Sequence, residues 1–173
     1  MTGSLRISRV ECRCGKVGFE AIGEPIMTVT CHCASCHQAA EQLKALPGAT
    51  PVANGEGGTD YVMMRKDRLR CTRGEDLLSA HRLKPDAPTR RVLASCCNSP
   101  MFLEFKGGHW LSVYRDRFDA PPSIELRTMA GDRLFADAIP AYRSHSASFM
   151  WRLFKAWVAM GFRAPAVAPV DRG

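Results

Sequence analysis

Apolar and polar residues alternate along much of the chain, which is the pattern of β-strands with one buried face. This alternation predicts strands at residues 5–11, 16–22, 25–30, 61–64, 69–72, 77–83, 90–95, 101–105, 110–114, 124–129 and 133–136. Gly, Pro, Asn and Asp are concentrated between these segments and predict turns. The longest such gap, residues 49–60, predicts a mobile loop. The pattern therefore favours a mainly β protein.

Residues 34–46 do not follow this alternation and are predicted to form a short helix. Ala39, Leu43 and Leu46 are spaced by four and three residues, which places them on one helical face. Ser35 is the predicted N-terminal cap, since a serine hydroxyl can accept a hydrogen bond from a free backbone N–H group. Pro47 ends the segment.

The second predicted helix covers residues 148–162 and is unusually apolar. Its aromatic residues are Phe149, Trp151, Phe154 and Trp157. Arg152 and Lys155 are its only charged residues before Arg163. Such a wide apolar arc is compatible with docking on the core, with a dimer surface or with a helix on a membrane surface, in that order of preference.

Composition and charge narrow the functional classes only slightly. The chain has 173 residues, of which 46% are hydrophobic and 24% are charged, as is usual for a globular domain. Its formal net charge of +7 is spread without a run of Lys and Arg, so nucleic-acid binding is not favoured. No apolar stretch is long enough to span a membrane. The N-terminal segment lacks the apolar core of a secretory signal, which favours a cytoplasmic protein.

The cysteines carry the strongest chemical signal. Seven of the eight fall into three short groups, Cys12 and Cys14, then Cys31, Cys33 and Cys36, then Cys96 and Cys97. Closely spaced thiolates are typical ligands of tetrahedral Zn²⁺, and a reducing cytoplasm would keep them available. Gly15 follows the first pair and could adopt the positive φ of a tight turn. Cys71 stands alone in a predicted strand and is expected to be a small buried hydrophobic residue.

The central group has the highest density of ligands, with His32 and His37 beside its three cysteines. Three thiolates on Zn²⁺ leave one position open, as in catalytic sites, and a histidine could then shuttle a proton. If His32 or His37 instead binds the metal, the site is closed and structural. A metal-free redox cluster is the least favoured alternative. His81, His109 and His145 are expected to be surface or core residues.

The cysteine layout resembles the glutathione-dependent formaldehyde-activating enzyme family, also called the centromere-protein-V-like family. The resemblance extends from Val10 to Phe105. It is carried by Cys-x-Cys-Gly, Cys-His-Cys-x-x-Cys and the late segment 97–102, together with the flanking segments 23–25 and 68–74. It implies an Mss4-like, zinc-stabilised β-sheet domain over residues 1–106, with the C-terminal extension 107–173 packed on the same domain.

The resemblance also implies two zinc sites. Cys12, Cys14 and Cys97 correspond to a structural site, but the family has a further cysteine where this chain has Ala94. Cys96 is the natural substitute, and the less favoured alternative is a three-cysteine site completed by another ligand. Neighbouring residues in a strand face opposite sides, so a Cys96–Cys97 pair requires an irregular backbone.

The second implied zinc is bound by Cys31, Cys33 and Cys36 and handles a glutathione adduct of the S-hydroxymethylglutathione type. The expected activity is that of a carbon–sulfur lyase, with glutathione as co-substrate. This chain departs from the family after Cys36, where the segment 37–40 replaces a basic residue and a glycine-containing loop. The alternative function is a non-catalytic zinc-stabilised module that binds a protein partner. The C-terminal helix is the candidate surface for that partner or for a homodimer.

Overall fold

The computed structural model of the protein describes residues 6–167, which form ten strands and two α-helices. The strands are β1 (Ile7–Glu11), β2 (Gly18–Ile22), β3 (Met27–Cys31), β4 (Thr59–Arg65), β5 (Leu69–Arg73), β6 (Leu78–His81), β7 (Thr89–Ala94), β8 (Ser99–Phe105), β9 (Trp110–Tyr114) and β10 (Leu126–Thr128). The helices are α1 (Ala34–Lys44) and α2 (Ala147–Ala159). The predicted fold class is confirmed: the protein is mainly β, with one helix after the central cysteines and one near the C-terminus.

The strands form two sheets of unequal size. The small sheet has the order β1-β2-β5 and is antiparallel. The large sheet has the order β10-β3-β4-β9-β8-β7-β6, and β10, which runs parallel to β3, is the exception to its antiparallel pairing. β9 lies between β4 and β8, although it belongs to the segment predicted as an extension. The division of the chain at residue 106 stays a prediction.

Both faces of the large sheet are covered, and β4 shows how the sequence permits this. Successive side chains of a strand point to opposite faces. Val62 and Met64 pack against the small sheet in one core, whereas Tyr61 and Met63 pack with the helices in the other. A strand buried on both faces has to be apolar at consecutive positions, as the sequence of β4 is.

Helix α2 docks on the second core through one face. Phe149, Leu153 and Ala156 are buried in that core. Ser146 caps the helix, because its Oγ accepts a hydrogen bond from Phe149 N at 3.1 Å. The ring Nε2 of His109 donates to the Leu153 carbonyl oxygen at 2.8 Å and ties the helix to the large sheet. No helix within residues 6–167 is long and apolar enough to cross a membrane.

Two predicted elements differ from the structure. Residues 133–136 are predicted to form a strand, but the segment is irregular, and Arg133 and Phe135 contact His32, the residue after β3. Met129, with φ of +56°, ends β10 and starts this irregular course. In α1 the N-cap is Cys33, without a side-chain hydrogen bond, so the predicted Ser35 cap is wrong. Part of the predicted strand 5–11 lies outside the described residues, which begin at residue 6.

A buried ion-pair network is centred on Glu104 of β8. The Glu104 carboxylate lies 2.6 Å from Lys66 Nζ and 2.6 Å from an Arg90 guanidinium nitrogen, and all three side chains are largely buried. Burial opposes ionisation of Glu104. The hydrogen bonds from Lys66 and Arg90 outweigh that effect and lower the carboxyl pKa.

Replacing Glu104 with glutamine should destabilise the protein by about 3–5 kcal/mol, because Lys66 would remain as a buried charge without its partner. The lowered pKa means that the contribution of Glu104 is complete above the ordinary glutamate pKa of about 4.3 and is lost as the pH falls through the folded-state pKa. Urea unfolding measured against pH should therefore show the stabilities of wild type and variant converging in acid.

The control is Glu20→Gln, which removes a more exposed ion pair with Arg70. It should change the free energy of unfolding by no more than about 1 kcal/mol. Equal effects of the two substitutions at neutral pH would contradict the proposed role of Glu104.

Candidate functional site

Two hairpin turns bring four thiols together in what we term the four-thiol cluster, Cys12, Cys14, Cys96 and Cys97. The Cys12–Cys14, Cys12–Cys96, Cys14–Cys96 and Cys96–Cys97 sulfur distances are 3.6, 3.9, 3.3 and 4.0 Å. A regular tetrahedron with Zn–S bonds of about 2.3 Å has sulfur–sulfur edges of about 3.8 Å. The observed spacing therefore fits a zinc ion bound by four thiolates.

The local backbone explains how adjacent cysteines can share one site. The β1–β2 turn closes through a hydrogen bond from Gly15 N to the Cys12 carbonyl oxygen, and Gly15 has φ of +76°. Asn98, with φ of +50°, ends the turn between β7 and β8. Cys96 and Cys97 lie in that turn and not in a regular strand, so their side chains are not forced to opposite faces. Val17 N donates to Cys12 Sγ at 3.2 Å, which favours a thiolate there.

The second group of thiols is the three-thiol cluster, Cys31, Cys33 and Cys36, whose sulfurs lie within 4.8 Å of one another. Cys31 ends β3, Cys33 is the N-cap of α1, and Cys36 lies in its first turn. The turn is fixed by the hydrogen bond from Cys36 N to the Cys33 carbonyl oxygen, at 3.0 Å. The positive end of the helix dipole favours thiolates at this position.

Hydrogen bonds among these thiols favour a shared negative charge. The hydrogen bonds from Cys31 and Cys36 hold the pKa of Cys33 far below its ordinary value. The hydrogen bond with Cys33, followed by that with Cys36 and by burial, raises the pKa of Cys31. Without a cation the cluster therefore favours one thiolate and two thiols. A dication is the kind of partner that would stabilise all three as thiolates.

The two neighbouring histidines lie outside this group. Within residues 6–167, no histidine nitrogen or carboxylate oxygen joins the three sulfurs as a fourth ligand. His32 is buried, and its Nδ1 accepts a hydrogen bond from Arg133 Nη1 at 2.9 Å. His37 Nε2 lies 3.4 Å from Arg133 Nη2. Burial, then the charge of Arg133, lowers the pKa of His32. Both rings are thus engaged by Arg133.

An ion-pair clamp holds the loop beside His32. Arg127, on β10, forms bidentate pairs with Glu56 and Asp137 at distances of 2.6–2.9 Å. Its guanidinium also lies 4.2 Å from the centre of the Phe135 ring. The hydrogen bond from Arg127 lowers the pKa of Asp137 to about 2. This clamp joins the segment after β10 to the loop before β4.

A buried cation, Arg91, contacts the first turn of α1. Arg91, on β7, is 0% exposed, and its Nη2 donates to the Ser35 carbonyl oxygen at 3.1 Å. Its Nε and Nη1 have no hydrogen-bond partner among the described residues, and no carboxylate there lies within ion-pair distance. Tyr61 Oη, in the same core, lies 3.6 Å from Cys36 Sγ.

The three-thiol cluster forms one end of a cavity of about 350 Å³. Strands β3, β4, β8 and β9 form its floor, and Phe149, Met150 and Leu153 of α2 cover it. His145 also lines this space, and its Nδ1 hydrogen-bonds to Thr128 Oγ1 at 2.9 Å. A metal bound by the three thiols would therefore face a mostly apolar space that is partly open to solvent.

Sequence patterns did not reveal Arg91, Tyr61 or His145 as parts of this site. Arg91 lies in a strand next to another arginine, so nothing in the sequence distinguishes the buried residue from the paired one. His145 was expected to be a surface or core residue, and it is in fact exposed at the cavity. The cysteines were found because their spacing alone is informative.

Gly58 fixes the position of His32, and replacing it with alanine tests this contact. A Cβ atom at residue 58 would lie 2.4 Å from Thr30 Cγ2 and 2.7 Å from His32 Cε1. Both neighbours are buried, so Gly58→Ala should destabilise the protein by about 1–3 kcal/mol. Gly55→Ala is the matched control, since a Cβ there would meet no atom within 4 Å. Equal urea-unfolding midpoints for the two variants would show that the predicted clash is absent.

Comparisons with known proteins identify the family of the chain. No curated protein matches the chain. A crystal structure of a Rhodobacter sphaeroides protein is 15% identical, with a TM-score of 0.46, and the similarity covers 65% of this chain and 88% of that one. The sequence model of the glutathione-dependent formaldehyde-activating enzyme matches residues 8–127, which is more than half of the chain and includes both thiol clusters. The chain therefore belongs to the glutathione-dependent formaldehyde-activating enzyme family.

Proposed function

We propose that the protein binds two zinc ions and acts as a carbon–sulfur lyase on thiol adducts at the three-thiol cluster. The observation that carries this proposal is the position of three thiols at the end of a cavity, with no fourth ligand among residues 6–167. Sites with three protein ligands and an open position are typical of catalytic zinc. Glutathione is the thiol carrier that family membership suggests.

The four-thiol cluster is assigned a structural role. Its four thiols could supply all four ligands of a tetrahedral ion, and they come from two turns that are far apart in sequence. A metal there would cross-link the small sheet to the β7–β8 turn. Structural zinc sites contribute on the order of 10 kcal/mol or more to folding.

The proposed reaction needs no redox partner. In the adduct, a carbon atom carries a hydroxyl group and is bonded to sulfur. The hydroxyl loses its proton, a carbonyl forms, the C–S bond breaks, and its electron pair remains on sulfur. The metal would supply Lewis-acid stabilisation of that thiolate sulfur. The reverse sequence forms the adduct from an aldehyde and a thiol.

Side chains lining the cavity provide candidates for the proton transfer. The ring of His145 lines the cavity, and Thr128 Oγ1 orients it through the hydrogen bond at Nδ1. His145 is therefore the candidate base that accepts the proton of the hydroxyl group. A direct proton-transfer role for His32 or His37 stays a prediction, since neither ring lines the cavity and both contact Arg133.

Arg91 is assigned as the buried counter-charge of this centre. A buried guanidinium without a carboxylate is costly unless another negative charge is close. Zn²⁺ with three thiolates carries a net charge of −1, and the Arg91 hydrogen bond to Ser35 places the cation at the first turn of α1, next to Cys36. The cluster would thus balance Arg91.

The alternative function, a zinc-stabilised module that binds a protein partner, has support from α2. Its outward face exposes Met150, Trp151, Phe154 and Val158. The homodimer through this helix and the cytoplasmic location both stay predictions.

Metal content tests the assignment of the two clusters. Wild type should contain two zinc ions per chain, and Cys33→Ser should contain one and retain its fold. Cys12→Ser should lose the structural ion and, with it, most of the folding stability. Cys71→Ser is the control, because Cys71 belongs to neither cluster, and it should keep both ions. Elemental analysis combined with thermal unfolding measures these outcomes, and two zinc ions in folded Cys33→Ser would contradict the proposal.

Zinc affinity tests the role of Arg91. Arg91→Met should weaken zinc binding at the three-thiol cluster about tenfold or more, because it removes a buried positive charge close to the site. The metal-free protein should be as stable as wild type or more stable, since a buried unpaired charge is lost. Chelator competition and urea unfolding measure the two effects.

Arg90→Met is the matched control, since the neighbouring Arg90 pairs with Glu104. It should leave the zinc affinity unchanged. If Arg91→Met and Arg90→Met bind zinc equally well, Arg91 is not the counter-charge.

A further inference from the structure

The cavity beside the three-thiol cluster has an unusual chemical character for a site that handles glutathione. Among the described residues, none of the side chains that line it is Lys, Arg, Asp or Glu. Its walls are formed by Val29, Met63, Leu103, Trp110, Phe149 and Leu153, together with several hydroxyl groups. Such a surface favours hydrocarbon, and apart from His145 and the thiols themselves it offers no charged partner to an ionic group.

Glutathione does not match this surface, because it has two carboxylates and an ammonium group at neutral pH. Two cations, Arg91 and Arg133, lie near the cluster, and neither of them lines the cavity. A charged carrier bound through sulfur would therefore keep its ionic groups outside. The group that enters the cavity is then the other substituent of the sulfur atom, which is the carbon that comes from the aldehyde.

The size of the cavity excludes a good fit for a one-carbon group. A water molecule occupies about 30 Å³ in the liquid, and a hydroxymethyl group is only slightly larger. The cavity measures about 350 Å³. Ligand pockets of about 300 Å³ and more bind molecules with a substantial carbon body. An adduct of formaldehyde would leave most of this space unfilled.

We infer that the protein acts on adducts of apolar aldehydes, whose alkyl or aryl body fills the cavity while the sulfur lies at the three-thiol cluster. This inference rests on the proposed function and specifies its substrate class. The bonds that form and break are those of the reaction given above, with an apolar substituent on the reacting carbon.

Thiol binding tests the inference without measuring activity. Benzyl mercaptan presents an aromatic group on the carbon next to sulfur, as an adduct of an aromatic aldehyde would. Isothermal titration of the zinc-loaded protein gives the Kd, and the thiolate-to-metal absorption band of the cobalt-substituted protein shows that sulfur binds the metal. Benzyl mercaptan should bind with a Kd at least about tenfold lower than that of glutathione or 2-mercaptoethanol, because its ring is transferred from water to an apolar surface.

A pair of variants on α2 locates the bound group. Met150 lines the cavity and is 53% exposed, so an arginine there should be tolerated by the fold. Val158, also on α2 and 45% exposed, does not line the cavity and is the matched control. Met150→Arg should raise the Kd of benzyl mercaptan at least about threefold. It should leave the Kd of glutathione unchanged or reduce it. Val158→Arg should change neither.

The outcomes separate this inference from the proposed function. If no thiol changes the cobalt spectrum, the three-thiol cluster does not accept an external ligand, and both fail. If thiols bind the metal but glutathione binds as tightly as benzyl mercaptan, the proposed function stands and the apolar substrate class is wrong. Equal benzyl mercaptan affinities in the Met150 and Val158 variants would also overturn the inference, because the aromatic group would lie elsewhere.

Discussion

The burial of the large sheet on both faces is the constraint on which the rest of the structure depends. One face is covered by the small sheet and the other by the helices, so side chains that alternate along β4 serve two different cores. The four-thiol cluster lies where the β1–β2 turn meets the β7–β8 turn, and the three-thiol cluster lies on the helical side, where β3 ends and α1 begins. Cys12 and Cys14 are thus close in sequence to the three-thiol cluster but belong to a site in a different layer of the fold. This separation permits the two sites to have different roles.

The sequence was informative wherever a local rule determines the structure. Cysteine spacing identified both clusters, and alternation identified most strands. It failed where long-range contacts decide the geometry. Arg127 binds Glu56, 71 residues away in the chain, and this contact cannot be inferred from neighbouring residues. Residues 133–136 alternate like a strand, yet Arg133 binds His32, and this tertiary contact prevails over the local preference.

The adjacent Cys96 and Cys97 show which features of the site can be inferred from the sequence and which cannot. An irregular backbone was required for Cys96 and Cys97 to share one site, and Ala94 at the expected ligand position indicated where the irregularity should lie. The actual solution is a turn in which Asn98 adopts a positive φ, a conformation that asparagine tolerates better than most residues. The sequence could indicate the need for such a turn, but the mutual approach of two hairpins determines its shape.

Under the proposed function, the charges around the two clusters would explain why only one of them accepts an external ligand. A zinc ion with four thiolates carries −2, and the four-thiol cluster lies partly exposed, where water can stabilise that charge. The three-thiol cluster is more buried and lies beside the apolar cavity, with Arg91 close to the first turn of α1. A fourth thiolate would raise its charge to −2 in a less polar environment. Arg91 would offset part of that cost, and an apolar group on the incoming sulfur would offset more by filling the cavity. Under the proposed function, binding at this centre would therefore depend on the hydrophobic part of the ligand as much as on its sulfur.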